Sequence, residues 1–306
     1  MNKQILQNNP FSKAQTKSII YWFVLAAPIL LGLFIVLGIL LDLPELIENY
    51  QIDFSDPLFS NVSINMFVYF LILLWLFYYR VKSKFKLKYL VGELNAVQKH
   101  SKVLLIVIPM MLFSIGTAEI LFYLIFLVSP QTANDLASQD LLLTAKETKY
   151  PLLYNAIEIV FLVIVAPIIE EILFRGIFIH RWSIKWSIAT TTIISSIVFG
   201  CLHFNFVGAS FWGCIVALIY LKTKSLLIPI AIHLLNNLIV TSFSLFYLLY
   251  PSEETTTVAE QIQSYWWQGA IAITISLPLL IIFLRKNWKY THELLPYFVN
   301  RSNMQI

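Results

Sequence analysis

The chain has 306 residues, of which 58% are hydrophobic and only 12% are charged. Soluble domains carry about 25% charged residues, so this composition, with a mean hydropathy of +0.75, excludes an ordinary soluble domain. The net charge of +4 does not indicate nucleic-acid binding, because the basic residues lie beside apolar segments, where membrane topology explains them. We therefore predict an all-α, polytopic membrane helix bundle without a nucleic-acid partner.

Eight apolar segments are candidates to cross a bilayer, which takes about 20 helical residues. They lie at about residues 18–41, 62–79, 103–128, 152–179, 187–205, 208–221, 226–249 and 265–284. No convincing small-residue cleavage site follows the first segment, so we interpret it as a retained span rather than a removed signal peptide. The prediction is about eight transmembrane helices in a single membrane domain over residues 1–306.

The loops between these segments alternate in charge. The loop after the first span is acidic, whereas the loop after the second carries a run of lysines and one arginine between residues 80 and 102. Lys and Arg are enriched in cytoplasmic loops, and with eight spans every basic loop lies on that side. The pattern predicts a multi-pass protein of the cell membrane, embedded in lipid, with both termini in the cytoplasm.

Two adjacent carboxylates, Glu170 and Glu171, interrupt the fourth apolar segment, and Arg175 follows one helical turn later. An acid at the bilayer centre costs roughly 2.5–3.5 kcal/mol on insertion scales, so such residues are candidates for function. Glu171 and Arg175 share a helix face and are expected to pair. Glu170 points about 100° away. We therefore expect that the carboxylates do not face the same partner, that Glu170 faces a cavity, and that Pro167 kinks the helix.

Two further polar pairs follow at helical spacing. Phe199 and His203 are expected on one face of the fifth segment, and His233 and Asn237 on one face of the seventh. Peptide hydrolysis needs a base that activates water and donors that stabilise the oxyanion, and these residue types supply both. Taken singly, each also has a structural interpretation: an ion pair, a satisfied polar residue, or a hydrogen bond between helices.

Metal binding stays open at this point. Two Glu and two His side chains are plausible zinc ligands, but the sequence contains no H-E-x-x-H pattern. We predict no metal site and no cofactor, with zinc as the alternative. Cys201 and Cys214 lack C-x-x-C spacing and are interpreted as small buried apolar residues. Glu119 and Glu158 are further intramembrane acids, interpreted as polar groups of the bundle or near its surface.

The three patterns together resemble a known family. E-E-x-x-x-R at 170–175, F-x-x-x-H at 199–203 and H-x-x-x-N at 233–237 resemble the motifs of the CPBP family, the CAAX proteases and bacteriocin-processing membrane proteins also called Abi proteins. The resemblance covers residues 170–237, inside a catalytic core expected at about 150–250. It implies a membrane fold of the eight-helix type with its site inside the bilayer.

The resemblance also implies roles for the motif residues. Glu170 would activate the water with help from His203, and His233 and Asn237 would form the oxyanion site. Glu171 and Arg175 would support the first motif. The family has been described both as metalloproteases and as glutamate-dependent peptidases. We favour the hypothesis of a glutamate-dependent peptidase, because an amide such as that of Asn237 is a poor zinc ligand.

The leading hypothesis is an intramembrane endopeptidase that hydrolyses a peptide bond of a membrane-associated peptide or protein. The alternatives are a non-catalytic scaffold that regulates a cell-envelope enzyme, which would then be its partner, and a bacteriocin self-immunity protein. A proton-coupled transporter would also use intramembrane Glu and His, but no two-fold internal repeat is evident. The Glu170→Gln change separates these alternatives, because it keeps the shape and removes the base.

Overall fold

The structure is a computed structural model that describes residues 9–13, 15–21, 24, 28–29, 53, 56–137, 141–250 and 258–305. Throughout these ranges every regular element is helical, which confirms the predicted all-α membrane bundle. The principal helices are α1 (Pro57–Ser83), α2 (Val107–Val128), α3 (Pro151–Trp182), α4 (Ile188–Cys201), α5 (Phe206–Thr223), α6 (Leu227–Leu249), α7 (Val258–Asn287) and α8 (Pro296–Asn303).

Shorter helical turns complete the described part of the chain. Four-residue and five-residue α-helical turns lie at Ser18–Tyr21, Leu87–Val91 and Ala96–Lys99, and an eight-residue helix at Pro130–Ala137. Turns of 3₁₀-helix lie at Pro10–Lys13, Ser101–Ile106 and Trp288–His292, the last two extending α2 and α7.

In the described part of the chain, six helices are long and apolar enough to cross a membrane: α1, α2, α3, α5, α6 and α7. Each corresponds to a predicted span. The predicted fifth span is the shorter apolar helix α4. The first predicted span, 18–41, lies largely outside the described residues, so the total of eight stays a prediction.

The described residues fall into two compact units. The first unit comprises Asn8–Phe85 and Leu142–Ile169, and the second includes Lys86–Leu141 and Glu170–Ile306. The division passes through α3 at Glu170, so the six predicted site residues all belong to the second unit. The expectation of a single membrane domain over the whole chain stays a prediction.

The first unit is organised around the beginning of α1. Asp56 caps this helix, since its Oδ1 accepts a hydrogen bond from the Leu58 N–H at 2.9 Å, and Pro57 occupies the first helical position. The same carboxylate accepts hydrogen bonds from the Thr148 hydroxyl at 2.7 Å and the Lys149 N–H at 2.8 Å. Asp56 thereby joins the loop before α3 to the start of α1.

In the second unit, α2 and α7 pack closely where both helices carry glycine. A Cβ added at Gly116 would lie 2.6 Å from the Gly269 carbonyl oxygen, and one added at Gly269 would lie 2.8 Å from the Gly116 oxygen. Backbones this close exclude any side chain, as in the small-residue interfaces of membrane helices. One turn along α2, the Glu119 side chain lies against Gly269, with Oε2 3.0 Å from the position of an added Cβ, which agrees with its interpretation as a polar group of the bundle.

The helices α4 and α5 form an antiparallel pair joined by the turn at residues 202–205. Ser187 caps α4 by accepting a hydrogen bond from the Thr190 N–H at 3.0 Å. Asn205 caps α5, because its Oδ1 accepts from the Gly208 N–H at 3.1 Å. The Asn205 amide also donates to the Ser114 carbonyl oxygen of α2 at 2.7 Å, so this turn is fixed to a neighbouring helix.

Candidate active site

The helix α3 departs from regular α-helical winding on both sides of the carboxylates. Residues 161–165 and Ile172–Phe178 are π-helical, and the short α-helical stretch Ala166–Glu171 lies between them. Pro167, which has no N–H to donate, follows the first π-helical turn. Such turns are rare and occur frequently at functional sites, because they change the direction in which side chains leave the helix.

The predicted pair of Glu171 and Arg175 is confirmed and is fully buried. Arg175 Nη1 donates to Glu171 Oε1 at 2.9 Å, and the side chains are 1% and 0% exposed. Arg175 Nη2 donates to the Gly213 carbonyl oxygen of α5 at 3.1 Å. A Cβ at Gly213 would lie 3.5 Å from that nitrogen and 3.2 Å from Ser196 Cα, so glycine allows this close packing. The guanidinium therefore joins α3 to α5 inside the bundle.

Aromatic rings surround the guanidinium on its other sides. Its central carbon lies 4.8 Å from the ring centroid of Phe199 and 5.2 Å from that of Trp212. The two rings stack on each other with centroids 5.3 Å apart and planes inclined by 18°. Cation–π attraction is worth about 2 kcal/mol or more where the cation is desolvated, so these rings stabilise the buried charge.

Both carboxylates face His233 of α6. Its Nδ1 lies 2.9 Å from Glu171 Oε1, and its Nε2 lies 3.9 Å from Glu170 Oε2. The expectation that the two glutamates do not face the same partner is therefore wrong. The physical reason is that an imidazole carries nitrogens at two edges, so a ring lying between two carboxylates can present one nitrogen to each.

The contact with Glu171 fixes the proton on His233 Nδ1. Glu171 Oε1 already accepts from Arg175, and a carboxylate beside a guanidinium is an acceptor only. Nδ1 must therefore be the donor, and this assignment follows from the hydrogen-bond network. Nε2 is left as the nitrogen that faces Glu170.

His203 lies beyond the end of α4, which terminates at Cys201. The predicted fifth span, which runs to residue 205, is therefore too long at this end. The His203 side chain nevertheless turns back on the helix end: Nδ1 lies 2.8 Å from the Phe199 carbonyl oxygen, and the two ring centroids are 4.4 Å apart. The Phe199 ring is also 6.2 Å from that of His233, so it contacts both imidazoles.

Asn237 lies one turn after His233 on α6, as the spacing predicts. Its Oδ1 accepts a hydrogen bond from Nδ2 of the adjacent Asn236 at 3.1 Å. This contact orients the carboxamide. The roles expected for Asn237 in oxyanion binding and for His203 in water activation stay predictions.

Sequence reasoning missed Trp212, which lies in the middle of α5. Its ring centroid is 4.4 Å from that of His233, in addition to its contacts with Phe199 and Arg175. The position of Trp212 could have indicated its role. Tryptophan in membrane helices is enriched at the interfaces, whereas Trp212 lies six residues into an 18-residue helix.

Among the residues that the structure describes, no group of three or more His, Cys, Asp and Glu side chains is arranged to hold a metal ion. The prediction that no cofactor is needed remains untested. Both cysteines are free thiols. The expectation that they are buried is wrong for Cys201, which is exposed, and Cys214 is only partly buried. Glu158 is buried in the first unit and accepts a hydrogen bond from Asn65, which fits its interpretation as a polar group of the bundle.

Residues 152–239 match the family model described as type II CAAX prenyl endopeptidase Rce1-like, and this range contains all six predicted site residues. The chain is also 30% identical over 139 residues to YdiL of Bacillus subtilis (strain 168), provisionally named a membrane peptidase. These matches support an assignment of the matched segment to the CPBP family. A second family relative is the membrane-embedded CAAX protease MroQ of Staphylococcus aureus (strain USA300), 36% identical over 98 residues.

The matched regions of these CPBP relatives are partial. The alignment with YdiL covers 44% of this chain and 52% of YdiL, and that with MroQ covers 28% of this chain and 39% of MroQ. The chain thus spans about half or less of the length of the relatives it matches. No solved structure matches the chain. The apolar helices and the membrane-protein relatives together identify a multi-pass membrane protein.

Proposed function

We propose that this CPBP protein is an intramembrane endopeptidase that hydrolyses a peptide bond of a membrane-associated peptide or protein. The observation that carries the proposal is the convergence of Glu170 and Glu171 of α3 on His233 of α6. Residues from the first and third family motifs meet there, and Phe199 of the second motif packs against the same imidazole. The names of the relatives, a membrane peptidase and a CAAX protease, support the same reaction class.

In the proposed mechanism, Glu170 is the general base. It takes a proton from a water whose oxygen attacks the carbonyl carbon of the scissile bond, and it later returns this proton to the amine as the C–N bond breaks. His203 is proposed to assist in orienting the water. A positioned base of this kind typically contributes about 10²–10⁴-fold to the rate.

His233 and Asn237 are the proposed oxyanion donors. Because Nδ1 of His233 is held by Glu171, the nitrogen available for an oxyanion is Nε2. Donation from Nε2 as well as from Nδ1 requires that both ring nitrogens carry a proton. Each such donor is worth about 2.7–4 kcal/mol in the transition state.

The sign alternation of the loops supports a cell-membrane protein with both termini in the cytoplasm. A site built on membrane helices requires that the substrate segment be embedded in, or enter, the lipid phase. The proposed reaction is glutamate-dependent and uses no metal.

The test compares the membrane peptidomes of cells that produce the active protein, Glu170→Gln or Glu158→Gln. Glu158 is the matched control, because it is an intramembrane acid of the same helix outside the motifs. We expect product peptides to disappear with Glu170→Gln and to persist with Glu158→Gln, at equal protein levels in the membrane. Unchanged products with Glu170→Gln would refute the peptidase and favour a scaffold.

A further inference from the structure

Trp212 of α5, a residue outside the three family motifs, packs against the ring of His233. The indole and imidazole centroids are 4.4 Å apart, with ring planes inclined by 60°. Trp212 is buried, with 7% of its surface exposed, and its opposite neighbours are the Phe199 ring and the Arg175 guanidinium. The indole is therefore held on several sides and offers His233 a rigid surface.

Glu171 alone does not determine the orientation of His233. A single hydrogen bond at Nδ1 restrains one nitrogen, but rotations about the Cα–Cβ and Cβ–Cγ bonds of His233 can still tilt the ring and move Nε2. Only part of that range directs Nε2 towards Glu170. A flat, immobile ring packed against the imidazole removes the other orientations.

We propose that Trp212 is a positioning residue for His233, which holds the imidazole so that Nε2 faces Glu170. Its consequence for catalysis rests on the proposed function, whereas the contact itself does not. The electron-rich indole face also attracts a charged imidazole, as it attracts the Arg175 guanidinium. The charged groups that face this ring cluster from α3 are Glu170, Glu171 and Arg175.

The first arm of the test measures the contact without using activity. A charged imidazole quenches the fluorescence of an adjacent indole, so Trp212 emission should depend on the protonation of His233. The chain has eight tryptophans, and the signal of Trp212 is therefore taken as the difference between the wild type and Trp212→Phe in nanodiscs. We expect this difference to change with pH, to keep that change in His203→Gln and to lose it in His233→Gln.

The second arm measures positioning through product formation. Trp212→Phe keeps an aromatic face and should retain product levels within about threefold. Trp212→Leu keeps an apolar side chain but removes the flat aromatic face. Products should then fall by about tenfold or more, which corresponds to the loss of one cation–π contact. Trp266→Leu is the control, because Trp266 stacks on Tyr123 of α2.

The outcomes separate this proposal from the proposed function. Products at wild-type level in Trp212→Leu, or a fluorescence titration that survives in His233→Gln, would overturn the role of Trp212. Fluorescence that titrates through His233 in a protein that forms no products would uphold the contact and refute the peptidase. Equal loss of products and of folded protein in Trp212→Phe and Trp212→Leu would show a structural role only and would also overturn the proposal.

Discussion

Glu171 and His233 are separated by 62 positions in the chain, yet Glu171 Oε1 lies 2.9 Å from His233 Nδ1 in the interior of the protein. The same oxygen accepts a hydrogen bond from Arg175. Glu171 is thus more than the intrahelical ion-pair partner of an arginine, because it joins the first family motif to the third. The supporting role predicted for Glu171 therefore includes a specific contact, which orients the imidazole of His233.

The first prediction concerns the buried ion pair. Glu171→Gln leaves the Arg175 guanidinium uncompensated in the interior, which typically costs about 3–5 kcal/mol. We expect a lower melting temperature of the purified protein and a loss of product peptides. The measurements are thermal unfolding in detergent and the membrane peptidome.

The double variant Glu171→Leu with Arg175→Met is the informative control. Replacing a buried ion pair by apolar side chains of similar volume is often neutral or stabilising. We expect the melting temperature to recover while product formation remains absent, because His233 has lost its acceptor. Recovery of products in the double variant would contradict the positioning role of Glu171.

The second prediction concerns Asp56 and pH. Burial pushes the pKa of Asp56 upwards, but hydrogen bonds from Thr148, Lys149 and Leu58, together with the charge of Lys149, outweigh it, so the pKa lies below its ordinary value. A depressed carboxyl pKa stabilises the folded state above the unfolded value of about 3.9. That contribution is lost as the pH falls through the lower folded value.

The matching variant is Asp56→Asn. Its melting temperature should be lower than that of the wild type at neutral pH, and the difference should shrink as the pH drops below about 3.9. A difference that stays constant down to strongly acidic pH would show that the carboxylate charge is not the source of the stabilisation. Thermal unfolding at a series of pH values measures it.

The sequence was sufficient to predict most of the membrane helices, because a hydrocarbon core imposes long apolar segments. The predicted segments at 103–128 and 226–249 agree with α2 and α6 to within a few residues. The pairing of Glu171 with Arg175 was also predictable, since it depends only on helical spacing. What the spacing could not show is which side chains of other helices reach the same carboxylate.

The third prediction tests the crossing of α2 and α7. Gly116→Ala places a methyl group against the Gly269 carbonyl oxygen, a backbone atom that cannot move aside. Overpacking of this kind costs about 1–3 kcal/mol, so the melting temperature should fall. At Gly176 the nearest atom to an added Cβ is Leu90 Cδ1 at 3.3 Å, the end of a flexible side chain. Gly176→Ala should therefore be tolerated, and an equal loss in both variants would contradict the backbone clash.

The fourth prediction concerns metal dependence. Purified protein treated with a strong chelator should keep forming products at the untreated rate, because the proposed base is Glu170 and the proposed donors are His233 and Asn237. Elemental analysis should find no stoichiometric zinc. Loss of activity in chelator that is restored by added zinc would replace the glutamate mechanism with a metal-dependent one.

The positions of His203 and Trp212 show where sequence reasoning ends. The helix of Phe199 stops at Cys201, and a hydrogen bond to the Phe199 carbonyl oxygen, rather than helical continuity, holds His203 beside Phe199. Helix ends depend on local capping and are only weakly encoded in an apolar sequence. Trp212 has no motif spacing at all, and only the packing of α5 against α4 and α6 brings it to the imidazole.

The helix α4 contains 14 residues and is therefore about 21 Å long, whereas the hydrocarbon layer of a bilayer is about 30 Å thick. If α4 spans the bilayer, as the sequence predicts, a helix this short gives a hydrophobic mismatch, which lipids relieve by local thinning at a cost of fractions of a kcal/mol per ångström. The turn that bears His203 would then lie beneath a depression in the bilayer. Acyl-chain length in the surrounding membrane thus becomes a variable that sets how readily polar molecules approach that histidine.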